Sequence, residues 1–221
     1  ERPDEAGVEA VEAADRRDGE GGRRPEIVFD RDHFDSYAKP EIALHLVTDT
    51  DGRDFLLLNG PEPSFQWERV AAGVGHLIEQ LDVSSTVLVQ AIPAPAPHTR
   101  PVAVTQYASD PDLVAEGDIM LGTFALKASF PSVLTLRLGE AGHQVVGLLA
   151  HVPHYIADAD YPAAAGALMK ALSAKTRLAL PRGGFDVAAG LVRAQIDQQV
   201  QASEELTEMV ATLEGNYERF M

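Results

Sequence analysis

The chain has no cysteine among its 221 residues. That absence excludes disulfides, thiolate catalysis and cysteine-ligated zinc, and fits a reducing cytoplasm. No stretch approaches the ~18 uninterrupted apolar residues of a membrane-spanning helix, and the first residues carry no secretory pattern. Positive charge is scarce: 18 Lys and Arg stand against 34 Asp and Glu, a formal net charge of −16. So acidic a surface repels phosphate backbones and anionic bilayers, which makes nucleic acid and membranes poor partners. The charge itself speaks to solubility, not to fold. Catalytic fingerprints are missing as well. There is no G-x-S-x-G elbow, no P-loop and no G-x-G-x-x-G, so neither cofactor nor covalent catalysis is expected.

What is present is enough apolar content, 45%, for a sizeable core in one large domain or a domain with appendages. The most informative stretch is a proline-fenced loop. The apolar run Thr86 to Ile92 reads as a buried strand and is predicted to end where Pro93 begins, because proline cannot donate to a ladder. Pro93, Pro95, Pro97 and Pro101 then hold a loop with His98, Thr99 and Arg100 at its tip. In open α/β sheets, ligand crevices lie beyond the carboxyl ends of strands.

Other elements follow from patterning. Residues 1–24 are polar and glycine-rich, a peripheral or flexible segment with a short helix over 5–14. Ile42–Val47 and Phe55–Leu58 form a hairpin around the Asp51-Gly52 turn signal. Ser64 is the expected N-cap of a helix whose apolar stripe is Trp67, Val70, Ala71, Val74, Leu77, Ile78 and Leu81, with Trp67 in the core. Strands are expected over 102–105, 120–126 and 145–150, and a helix capped by Ser132 is stopped by Gly142. The strand over 145–150 is expected to lie beside the strand over 86–92, which brings the His98 and His151 loops to one end of the sheet. Pro162 opens an alanine-rich helix to about residue 175. Beyond 184, Leu206, Val210, Leu213, Tyr217 and Phe220 form a short heptad-like seam, open to a partner helix or to the domain itself. The order predicts an α/β fold with a mixed, mainly parallel sheet flanked by helices over 25–180, and a C-terminal helical extension over 181–221.

Three constellations could carry chemistry. His98, Thr99 and Arg100 offer a ring, a hydroxyl and a forked cation to an anion, or Arg100 ties the loop to Glu62 or Glu140. His151 and His154, with His98 or His143, have imidazole nitrogens for zinc. But Pro153 lies between them and the H-E-x-x-H pattern is absent, so strand-end histidines without a metal are the simpler reading. Glu140 beside His143 could act as a general base, or pair with Arg100 or Arg137 at a helix end.

Four stretches together resemble the proteasome assembly chaperone family, in its bacterial, actinobacterial-type branch. They are Leu58-Asn59-Gly60-Pro61-Glu62-Pro63 through Trp67; Ile92-Pro93 with Pro97-His98-Thr99-Arg100-Pro101; Leu136-Arg137-Leu138-Gly139-Glu140-Ala141-Gly142-His143; and His151-Val152-Pro153-His154-Tyr155 with Tyr161-Pro162-Ala163. The resemblance covers roughly residues 40 to 180. It implies an α/β domain related to the nucleoside phosphorylase fold. In eukaryotes and archaea, members help assemble the proteasome core particle. Two departures stand out. The strand and Gly/Asp-rich turn that usually open family members are not visible in residues 1–24, as in a truncated chain. The chain ends Arg219-Phe220-Met221, with Tyr217 not penultimate, so the family's tail docking into the proteasome ring is not expected here.

The combined reading is a non-enzymatic interaction protein, a homo-oligomer with a trimer as one candidate, with proteasome-related proteins as further partners. The alternative is a binding protein or enzyme for a small anionic, phosphate- or nucleoside-like ligand at His98, Thr99, Arg100, Glu140, His151 and His154.

Overall fold

A computed structural model describes residues 25–114, 123, 125–181 and 183–220. The segment 1–24 lies outside the described residues, as does most of the strand expected over 120–126. The central strand is β7, Val145–Pro153, whose residues are buried apart from the half-buried His151. β5, Thr86–Ala94, runs parallel beside it, from Thr86 opposite Val145 to Ala94 opposite Pro153. β6, Val104–Ala108, pairs antiparallel on the other side, giving the order β5-β7-β6.

Two expectations are corrected here. The sheet is mixed, but not mainly parallel. β5 and β6 are separated only by residues 95–103, and a parallel return needs a crossover of roughly a dozen residues or more. The chain therefore passes over the end of β7 and comes back antiparallel. The other two described pairings, β1 with β2 and β3 with β4, are antiparallel hairpins. Nor does β5 end at Ile92. It continues through Pro93 to Ala94, because among the described residues it pairs on one side only, and an open edge tolerates a residue without N–H.

Helices cover both faces. α1 (Trp67–Gln80) and α2 (Phe130–Glu140) bury Ala71, Ile78, Phe130, Leu134 and Leu138 against Val145, with Trp67 and Val74 alongside. α3 (Pro162–Thr176) buries Ala164 against Ala150 and Val152 on the other face. The caps differ from expectation: Gln66, left-handed at φ 59, precedes α1 in place of Ser64. Ser129 caps α2, and Ser132 completes the reciprocal capping box. Glu62 also accepts the Phe130 N–H, and Gly142 ends the α2 region at φ 85.

α4 (Phe185–Gln201) and α5 (Glu204–Phe220) form a helical pair. Ile196, Val200 and Val210 pack with Tyr155, Ile156 and Tyr161, and Leu213 is buried as well. Of the heptad-like seam, Leu206 and Val210 are therefore packed within the chain.

Two hairpins complete the fold. β1 (Ile27–Asp30) and β2 (His33–Tyr37), not foreseen from sequence, turn through Arg31 at φ 53. β3 (Ala43–Thr48) and β4 (Asp54–Asn59) match the expected hairpin. Its turn is fastened by buried Asp49, which accepts the N–H groups of Arg53 at 2.8 Å, Asp51 at 2.9 Å and Ala179 at 2.8 Å. Thr50 donates to the Ala179 carbonyl at 2.8 Å. These bonds, Arg53 and Ala179 foremost, hold the Asp49 carboxyl below its ordinary range against the opposing effect of burial. A carboxyl whose folded pKa is depressed contributes stability above its unfolded pKa of about 3.9 and loses it as pH falls through the lower folded value. Thermal melts should show Asp49→Asn less stable than wild type at pH 7, with the gap closing below about pH 4. A gap that stays constant down to that pH would assign the effect to packing instead.

Candidate functional site

The proline loop closes over the end of β7, so the parallel pairing of β5 with β7 brings the His98 and His151 segments to one end of the sheet. The His98 side chain is only 2% exposed. Its backbone N–H donates to the Tyr155 hydroxyl at 2.8 Å, Nδ1 lies 2.6 Å from the same hydroxyl, and Nε2 lies 2.9 Å from Asp197 Oδ1. These three bonds are satisfied together when Tyr155 donates to Nδ1 and the Nε2–H donates to Asp197. Burial raises the Tyr155 pKa above the usual phenol range, so the hydroxyl keeps the proton that this arrangement needs. The two rings meet edge to face at 5.8 Å.

The neighbouring side chains are engaged too. Thr99 donates to Glu214 on α5, and Arg193 lies 3.9 Å from Asp197 on α4. The Arg100 N–H closes the turn to the Pro97 carbonyl at 3.3 Å. His151 Nε2 lies 3.0 Å from the Thr105 hydroxyl on β6, and burial lowers its pKa, which favours the neutral ring. His154, exposed, donates from Nδ1 to the Ala94 carbonyl at 3.3 Å. His151 and His154 thus serve different partners and do not converge.

Glu140 does not join this end. It sits at the C-terminus of α2, ahead of the start of β7, whereas the loop lies beyond the end of β7. There it pairs with Arg137 at 2.6 Å, and Arg137 also binds Glu68 through two nitrogens at 2.8 and 2.9 Å. Glu68 and Glu140 raise the Arg137 pKa, while Arg137 lowers that of Glu68. The anticipated His98–Arg100–Glu140 pocket is therefore divided between the two ends of a nine-residue strand. His143 stays with Glu140's end, 3.9 Å from Glu79.

Sequence reasoning missed Asp197 and Glu214. The available signal was an acid directly after Ile196, on the margin of an apolar stripe. What the geometry does chemically is latch: one buried imidazole joins the α/β body to the helical pair. His98→Ala should cost about 2–4 kcal/mol, through the cavity and the unpaired Tyr155 hydroxyl. Asp197→Ala leaves the buried His98 Nε2–H without its acceptor but makes a smaller cavity, and should cost about 1–2 kcal/mol. Urea unfolding of both variants checks the ranking, and the reverse order would refute the latch.

The described residues form a mixed three-stranded sheet with helices on both faces, an α/β fold that solved structures share. A protein of unknown function from Mycobacterium tuberculosis is 39% identical with a TM-score of 0.81, over 90% of this chain and 69% of that one. A PAC2 family protein from Streptomyces avermitilis is 28% identical with a TM-score of 0.71, over 85% of this chain and 79% of that one. A proteasome-assembly chaperone homologue from Mycobacterium tuberculosis, at 24% identity and a TM-score of 0.76 over 85% of this chain and 80% of that one, shares the fold. No curated protein matches the chain. Residues 14–200 match the PAC2 family. The chain belongs to the PAC2 family.

Proposed function

We propose that this protein is a non-enzymatic interaction module of the proteasome-assembly-chaperone kind, working in the cytoplasm on protein partners that include proteasome-related proteins. The observation that carries this reading is the filled crevice. Where an open α/β sheet would receive a ligand, His98 and Thr99 are bound to Tyr155, Asp197 and Glu214 of the same chain. A phosphate- or nucleoside-like ligand would have to displace two carboxylates to reach them. Family membership supports the same direction, since one structural relative is described as a proteasome-assembly chaperone homologue. The division into an α/β body and a helical extension after residue 180, the relation to the nucleoside phosphorylase fold and homo-oligomer formation belong to this proposal too. With Leu206, Val210 and Leu213 taken up inside the chain, the contacts between copies would lie on other faces.

The test is co-expression with the proteasome α- and β-subunits of the same source, followed by native mass spectrometry. A complex with α-subunits or assembly intermediates, and faster core-particle formation, is the expected result. No complex, together with a thermal shift by millimolar phosphate or nucleoside that Thr99→Val abolishes, would overturn it in favour of a small-molecule site.

A further inference from the structure

The second hairpin presents an apolar face that no described element covers. Directly opposed residues of an antiparallel pair share a face. The register Leu44 opposite Leu58 and Leu46 opposite Leu56 therefore puts four leucines on one side. Leu44 and Leu58 are each 39% exposed, Leu46 72% and Leu56 37%. The opposite side carries half-buried Ala43, Val47 and Phe55 together with exposed His45, Leu57 and Asn59, so only the first face is a continuous apolar patch. Same-face neighbours along a strand lie about 7 Å apart and cross-strand partners about 5 Å. One helix, about 10 Å wide, spans such a square.

The rim is acidic. Thr48 donates to Asp54 at 2.6 Å at the turn end, and Glu41 is exposed at the other. Residues 41–59 carry four carboxylates, Glu41, Asp49, Asp51 and Asp54, against one cation, Arg53, which is held by Asp49 and the Arg177 carbonyl. A second copy of this chain would bring the same acidic rim against it. A cationic amphipathic segment would cover the leucines and neutralise the rim together.

We propose that the face formed by Leu44, Leu46, Leu56 and Leu58 docks a basic amphipathic helix of a partner protein. This rests on the interaction-module reading and adds the surface and the partner's chemistry. The probe is a labelled synthetic leucine–lysine peptide with helical spacing, beside a scrambled peptide of the same composition. Fluorescence anisotropy should show the helical peptide binding wild type. Binding should be about tenfold or more weaker for the Leu46→Gln/Leu58→Gln variant, and unchanged for Leu191→Gln on exposed α4 surface. Circular dichroism confirms that the variants stay folded. Equal binding of the scrambled peptide, or equal affinity for all three proteins, overturns the proposal. So does a dimer in sedimentation velocity that the double variant abolishes, because the occupant would then be a second copy. Failure of the co-expression test with peptide docking intact sinks the chaperone reading alone; the reverse sinks this surface alone.

Discussion

Replacing Gly147 with alanine is expected to destabilise the protein by about 3 kcal/mol, the upper part of the usual overpacking range. Gly147 lies in the central strand directly opposite Tyr107 of β6, so both project on the same face. A Cβ on Gly147 would fall within the Tyr107 ring. The ring cannot move aside cheaply, since it is half-buried and its hydroxyl donates to Gln90. Alanine is ordinarily better than glycine in a strand by roughly 0.5–1 kcal/mol, too little to offset the clash. The melting temperature should fall on the order of 10 °C. In a Tyr107→Ala background the same substitution should cost nothing or help slightly. Equal costs in both backgrounds, measured by chemical denaturation, would show that the ring does not set the requirement for glycine.

Leu213→Asp is the second large effect. Leu213 is 7% exposed on α5, the helix whose Leu206 and Val210 pack with Ile196 and Val200 of α4. Truncating a buried leucine costs about 2–5 kcal/mol, and an unpaired carboxylate adds desolvation. The sum is comparable with the whole stability of a typical domain, about 5–15 kcal/mol. The helical pair should therefore undock or the chain unfold, seen as protease cleavage within α4 and α5 and a large loss of melting temperature. Leu191→Asp on α4, at 65% exposure, should stay within about 0.5 kcal/mol of wild type. If Leu213→Asp instead left the melt unchanged and altered only the sedimenting mass, the seam would be an interface between copies.

The patterns that can be read locally agree with the structure. The apolar run at 145–150 is the central strand, Pro162 opens α3, Gly52 and Gly142 take positive φ, and of the helical stripe Trp67, Val70, Ala71, Val74 and Ile78 face the core while Leu77 and Leu81 are exposed. The same locality let the quoted motifs identify the family. Each of these depends on a residue and its near neighbours, and side-chain period and backbone chirality act at that range. Direction and partnership do not. Whether β6 returned parallel or antiparallel depended on a loop too short for a crossover. Whether Pro93 could stay in a strand depended on β5 lying at an edge. His98 looked like a ligand group because its loop carries no acid. Its partners, Tyr155 and Asp197, lie 57 and 99 residues further along the chain. Glu140 looked like a partner for Arg100 by charge alone, and the strand length that separates them is visible only once β5 and β7 are paired. The sequence by itself determined the helices, the central strands and the family, but not the first hairpin. The tertiary structure alone decided that the loop is a latch to the C-terminal helices, because hydrogen bonds between groups so distant in sequence exist only after the chain has folded back on itself.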